Sequence, residues 1–260
     1  MNETEFTGDN MDLIVGIHSI VEAIKNPKRQ NIRLVLTKDA LSELKRKKLD
    51  LSQPYFKVEI VDSTKLHSEA QKSYKKIGRE YQRVPSGMFL ESGRLKILNV
   101  SHIYRDLECG KRLKIFSLDQ VTDVHNGAAV LRTAAFYGVD YLVLPVKGIF
   151  GPTPSFFRIA SGATEHVKIV TCPNLSKVLK KMIQLGVECV GFSEHAEDEN
   201  VVVDPQKSLC LVMGAEDKGL SHAVNRILEK IMMLPSKGSI KSLNVSVASA
   251  IAMEKFLSAN

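Results

Sequence analysis

The chain has 260 residues, 44% of them hydrophobic and 25% charged, with 16 Gly, 9 Pro and no Trp. That length admits one large domain or two modest ones, and that apolar fraction excludes a disordered chain. No apolar run approaches the ~18 residues that a membrane span needs. The acidic, polar start MNETEFTGDN also lacks the basic and apolar regions of a signal peptide, so a cytoplasmic protein with a disordered tail over residues 1–10 is expected.

The net charge of +7 is unevenly placed: residues 11–110 carry 19 basic and 12 acidic side chains, against 17 and 14 over 111–260. The excess concentrates around Lys45-Arg46-Lys47-Lys48 and between Lys72 and Arg79. Such runs are commonly solvated helix faces, but their sum suits a polyanion, whose phosphates give sequence-blind affinity. Cys109, Cys172, Cys189 and Cys210 form no CxxC pair and the seven His no HExxH pattern, so no metal site is expected.

In chain order, LIVGIHSIVEAI (13–24) passes from a short strand into helical spacing. NIRLVLTKD reads as a strand, LSELKRKK as a charged helix, FKVEIVD as a strand and MFLES as a last strand ending near residue 92. A connector follows, with a helix near 101–108. A second alternation then begins: strand 113–118, helix 127–137, strand 141–145, the Gly/Pro-rich stretch KGIFGPTPS as a candidate lid, and strand 167–171. Helix 175–185, strand 188–192, an acidic loop from Glu194, strand 209–213, helix 220–229, strand 231–234 and helix 244–257 complete it. Strands alternating with helices predict an α/β fold with a mainly parallel sheet covered on both faces.

Three strand-to-loop junctions carry unusual sequences, and such junctions are where parallel sheets hold ligands. The first is DQVTDVHNGAAVLRT (119–133), where Asn126 can cap the next helix and Arg132 stands in an otherwise small, apolar helix. The second is LVMGAEDKGLS (211–221). It nearly satisfies the phosphate-binding GxxxxGK[ST] pattern, but Leu220 stands where the lysine must be, which excludes a P-loop triphosphatase. The third is MLPSKGSIKSLNVS (233–246), where Ser242 or Asn244 can start the last helix.

Together these segments, in this order, resemble the three signature motifs of the SpoU (TrmH) RNA ribose 2′-O-methyltransferases. FFRIASGATEHVKIV and NLSKVLKKMIQLGVECVGF are similar to the blocks between them, so the resemblance covers about 113–260. The front segment VGIHSIVEAI…IRLVL is similar, more loosely, to the small ribosomal-protein-like RNA-binding domain of the ribosomal RNA branch. The resemblance implies an RNA substrate-binding domain over 11–92, a linker over 93–112, and a methyltransferase domain over 113–260 with a C-terminal trefoil knot.

It further implies S-adenosylmethionine as cofactor, a homodimer through the knotted domain, and an RNA substrate, a guanosine of 23S ribosomal RNA before a transfer RNA. A non-catalytic RNA-binding scaffold is the alternative of another class. Gly214, Leu234 and Leu243 match cofactor-contacting positions. Arg132, Asn126, Glu216, Ser242 and Asn244 match polar positions around the reacting ribose. Arg132 is either a stabiliser of developing charge or a deprotonated base, and the former suits a guanidinium that stays protonated. The chain departs from the family's Asp-Pro-x-Asn-x-Gly pattern: Val124 replaces the proline and the glycine is shifted to Gly127, with Ala128 in its usual place.

Overall fold

The computed structural model describes residues 10–258 other than 50, 52–54, 147–151, 195, 197 and 241. Residues 1–9 of the expected tail, the first half of the candidate lid and two positions of the acidic loop thus lie outside the described residues. The described chain divides into two compact units, 10–96 with 152–165 and 97–146 with 166–258.

In the first unit the strands β1 (Met11–Val15), β2 (Asn31–Leu36), β3 (Lys57–Ile60) and β4 (Met88–Gly93) form a sheet of order β1-β4-β2-β3. β4 runs antiparallel to both its neighbours and β2 parallel to β3. Consecutive side chains of a strand point to opposite faces. Ile14, Leu34, Leu36 and Leu90 accordingly pack with helices α1 (Ile17–Lys25) and α2 (Lys38–Arg46), while Leu13, Val15, Val35 and Phe89 pack with α3 (Ser63–Lys76). Burial on both faces explains the unbroken apolar stretches Leu13–Val15, Leu34–Leu36 and Met88–Leu90, whereas β3 at the sheet edge is only partly covered.

Helix α3 is absent from the sequence reading. Its buried stripe is Leu66, Ala70, Ser73 and Tyr74, too small and polar to register as an apolar period. Its start was nevertheless marked: Asp62 caps it, accepting from Lys65 N at 2.8 Å. A second unpredicted helix, α6 (Pro154–Ala160), lies in the latter half of the candidate lid and its sequel, and carries Phe157 into the core beside Ile14 and Ile20. Thr153 caps it and Pro154 opens it, a start signal that the Gly/Pro-rich surroundings conceal. The chain of this unit is pinned by Arg29, which donates to Asp12 (2.8 Å), Gly93 O (2.9 Å) and Glu165 (3.0 Å).

The second unit is built on a seven-stranded parallel sheet. Its strands are β5 (Leu98–Asn99), β6 (Lys114–Leu118), β7 (Tyr141–Pro145), β8 (Lys168–Cys172), β9 (Glu188–Phe192), β10 (Leu209–Met213) and β11 (Lys230–Met232), in the order β11-β9-β10-β6-β7-β8-β5. Helices α4 (Ser101–Glu108), α7 (Leu175–Gln184) and α8 (His222–Asn225) surround a core of Ile115, Val143, Leu179 and Val212. Helices α5 (Val124–Phe136) and α9 (Val245–Leu257) pack on each other, and α9 also packs on β10. Their buried Ala128, Ala134, Ala248 and Ala252 permit a close approach.

The α/β alternation and the parallel sheet agree with the sequence reading. The helix expected at 220–229 is confined to His222–Asn225, after which Leu228 turns into the core. The expected connector contributes β5 to the edge of this sheet, as well as α4. No described helix is long and apolar enough to cross a membrane.

Candidate cofactor and ribose site

The segments that follow β9, β10 and β11 at their carboxyl ends, together with α9, enclose a cavity of about 490 Å³. That volume and position are those of a small-molecule site in an open α/β sheet. Met213 and Gly214 lead from β10 into a tight turn closed by Ala215 N to Gly219 O (3.2 Å) and Gly219 N to Ala215 O (2.8 Å). A Cβ added to Gly214 would stand 2.2 Å from the carbonyl carbon of Gly219, so this position requires glycine. Asp119, buried at the end of β6, accepts from Ser221 N at 2.7 Å and ties the first motif to the second.

Five of the eight residues singled out from the sequence line the cavity: Gly214, Glu216, Leu234, Ser242 and Leu243. Asn126 and Asn244 stand beside it as a pair, with Asn244 Nδ2 donating to Asn126 Oδ1 at 3.0 Å. Asn244 also caps α9, its Oδ1 accepting from Ser246 N at 2.9 Å, while Glu216 Oε1 accepts from Val245 N at 2.7 Å. The first two amides of α9 are therefore both satisfied by motif side chains, which couples the helix start to the turn after β10.

Asn126 is not the cap of its own helix. Asp123 fills that role, accepting from His125 N (2.6 Å) and Asn126 N (3.2 Å), and this leaves the Asn126 side chain to Asn244. Arg132 does not line the cavity. Six residues beyond Asn126 it lies about 240° around α5 by helix geometry, and it is exposed.

Sequence reasoning missed Phe192 at the end of β9, Ser193 and Glu194 after it, and Ile240, Ile251 and Lys255. The signal for the first three was their place at the end of a predicted strand. The unusual acidic loop that follows is anchored largely through its backbone. Asp198 O accepts from Met233 N (2.7 Å), Glu199 O from Lys255 Nζ (2.9 Å) and Val202 O from Lys230 Nζ (2.8 Å), while Asp204 N donates to Glu188 (2.7 Å).

The arrangement offers an apolar chamber, edged by two carboxylates and one ammonium, that opens beside a pair of amides. It fits a bulky, partly apolar cationic metabolite, and the exposed amides can position a hydroxyl-bearing group next to it.

The model of the SpoU rRNA Methylase family matches residues 114–254. The chain is 36% identical over 136 residues to the 23S rRNA (guanosine-2′-O-)-methyltransferase RlmB of Ralstonia nicotianae, covering 52% of this chain and 55% of that protein. It is 37% identical over 139 residues to the protein of the same name from Pseudomonas putida, covering 54% of this chain and 56% of that one. The matched region thus spans about half the length of these curated relatives.

Two solved structures share the fold. One is an AdoMet-bound rRNA methyltransferase from Sinorhizobium meliloti, with a TM-score of 0.72 at 17% identity, covering 95% of this chain and 87% of that one. The other is the SpoU methyltransferase AviRb from Streptomyces viridochromogenes, with a TM-score of 0.73 at 18% identity, covering 95% and 88%.

Proposed function

Because the chain belongs to the SpoU rRNA methylase family, we propose that it transfers the methyl group of S-adenosylmethionine to a ribose 2′-hydroxyl of structured RNA, a guanosine of 23S ribosomal RNA in the cytoplasm. The observation that carries this reading is the cavity, whose edge joins Glu216, Asn126 and Asn244 from three separate motifs.

Gly214, Leu234 and Leu243 would hold the cofactor, Leu234 and Leu243 as apolar walls and Gly214 through the close backbone turn that it alone permits. When bound, the cofactor supplies an electrophilic methyl on a sulfonium, so the protein's part is to orient the acceptor and manage its proton. The amides of Asn126 and Asn244 lie where they can hold the ribose, with Ser242 beside them. Glu216 keeps the start of α9 in place. Arg132 meets the phosphate and stabilises the developing alkoxide, a task for a cation that does not give up its proton.

Arg132 is exposed and does not line the cavity of its own chain, so in this reading a second copy of the chain supplies it. Exposed apolar side chains on the same two helices support such a homodimer: Phe136 (82% exposed), Val247 and Ile251. A C-terminal segment threaded as a trefoil knot accords with β11 pairing to β9 rather than β10, and with the return of α9 onto α5. The basic first unit binds the RNA substrate.

The test is transfer of labelled methyl from S-adenosylmethionine to unmodified RNA. Label in large-subunit ribosomal RNA is expected. Label in transfer RNA alone would move the acceptor to the other branch, and no label on naked RNA or ribosomal particles would overturn the reading.

A further inference from the structure

A second cleft, of about 350 Å³, lies in the same unit at the opposite, amino-terminal ends of β6 and β10. Four basic residues line it, Arg112, Lys114, Lys207 and Lys255, against the single carboxylate of Asp204. The ammonium groups of two of them are held by neutral acceptors: Lys114 Nζ donates to Leu257 O (3.4 Å) and Lys255 Nζ to Glu199 O (2.9 Å). None of the three lysines makes an ion pair with a described carboxylate. Among the described residues, the charges of Lys114 and Lys255 are thus held without a carboxylate partner, a condition that attracts an anion. The rest of the wall is apolar, with the half-buried ring of Phe256 and the exposed side chain of Val202.

From this juxtaposition of a cation cluster, two of whose members are held in place, and an apolar, partly aromatic wall, we infer that the cleft is an accessory RNA site that holds a nucleotide flanking the methylated one. The cations take its phosphate and the apolar wall its base. The cleft sits at the carboxyl end of α9, whereas Asn244 sits at its amino end. The 13 residues of α9 place Leu257, on the cleft, about 20 Å from Asn244. A ligand there is too distant to take part in methyl transfer and acts by holding the RNA in register. Lys255 lines both cavities and makes the wall continuous from one to the other.

The inference rests on the RNA methyltransferase reading, and its test separates the two. The variants K207E, R112E and their combination are titrated with an unmodified transcript of large-subunit ribosomal RNA over a range of salt, with S-adenosylmethionine affinity measured alongside. The expected result is severalfold weaker RNA binding, a salt slope lowered by about one for each cation removed, and unchanged cofactor affinity. In the wild type, bound RNA should protect Lys207 from acylation, a readout that needs no variant to fold. Unchanged RNA affinity and slope together with unprotected Lys207 would refute the cleft alone. A wild-type chain that binds no RNA would refute the functional reading instead.

Discussion

Asn126 and Asn244 are 118 residues apart in the chain and share a hydrogen bond at the rim of the cavity. The resemblance to the family's motifs singled out both, but not their relation, because Asn126 precedes the helix expected at 127–137 and reads there as its cap. That role falls to Asp123, three residues earlier, and the difference decides where the Asn126 amide points. Gly214 was legible for another reason: a strand ending in glycine before a turn marks a backbone approach, and here that approach is to Gly219. Gly214→Ala should weaken S-adenosylmethionine binding at least tenfold and destabilise the fold by about 1–3 kcal/mol, the usual cost of forcing atoms into a filled space. Calorimetric titration and urea unfolding check this, and wild-type values in both would contradict it. Arg132→Ala should abolish turnover and leave cofactor affinity unchanged, since Arg132 stands outside the cavity of its own chain. Loss of cofactor affinity in that variant would contradict the role given to it.

Among the elements, those with strong apolar patterns were legible and those whose burial rests on small or polar side chains were not. Strands β6, β7, β9 and β10 emerged from their sequences because both faces of the sheet are covered. Helix α3 did not, since two of its four buried residues are Ala70 and Ser73. The junction of α4 with β7 shows what such local patterns cannot reveal. Asp106 on α4 accepts from Lys111 Nζ at 2.8 Å and from the buried Tyr141 hydroxyl at 2.6 Å. Those two bonds, that from Lys111 first, hold its carboxyl down at a pKa of about 2. A carboxylate with a depressed folded pKa stabilises the protein above its unfolded value and loses that contribution as pH falls through the folded one. The stability of the wild type should therefore decline between about pH 4 and pH 2, and Asp106→Asn should flatten that part of the profile while lowering stability at neutral pH. Urea midpoints across that range read it directly; parallel profiles for the two proteins would contradict it.

For the whole molecule, the two runs of alternating elements led to the expectation of two domains, and the described chain divides into two compact units. The contribution of residues 152–165 to the first unit was not legible. Nothing in the residues between Pro152 and Glu165 announces it until Phe157 and Glu165 are seen beside Ile14 and Arg29. The apolar side chains left exposed on α5 and α9 belong to this scale as well. If the homodimer proposed above forms through them, Val247→Glu should convert it into a monomer at micromolar concentration and lose methyl transfer with it, as read by sedimentation; an active monomer would contradict the shared site.

The central claim is that the acceptor atom is a ribose 2′-oxygen, and alkaline hydrolysis of the labelled RNA tests it most directly. That hydroxyl is the nucleophile of strand cleavage, so its methylation blocks hydrolysis at one linkage. The account predicts a single alkali-resistant guanosine in the large-subunit RNA, present with the wild-type chain and absent with Arg132→Ala. Label recovered on a base, with every linkage still cleaved, would contradict it.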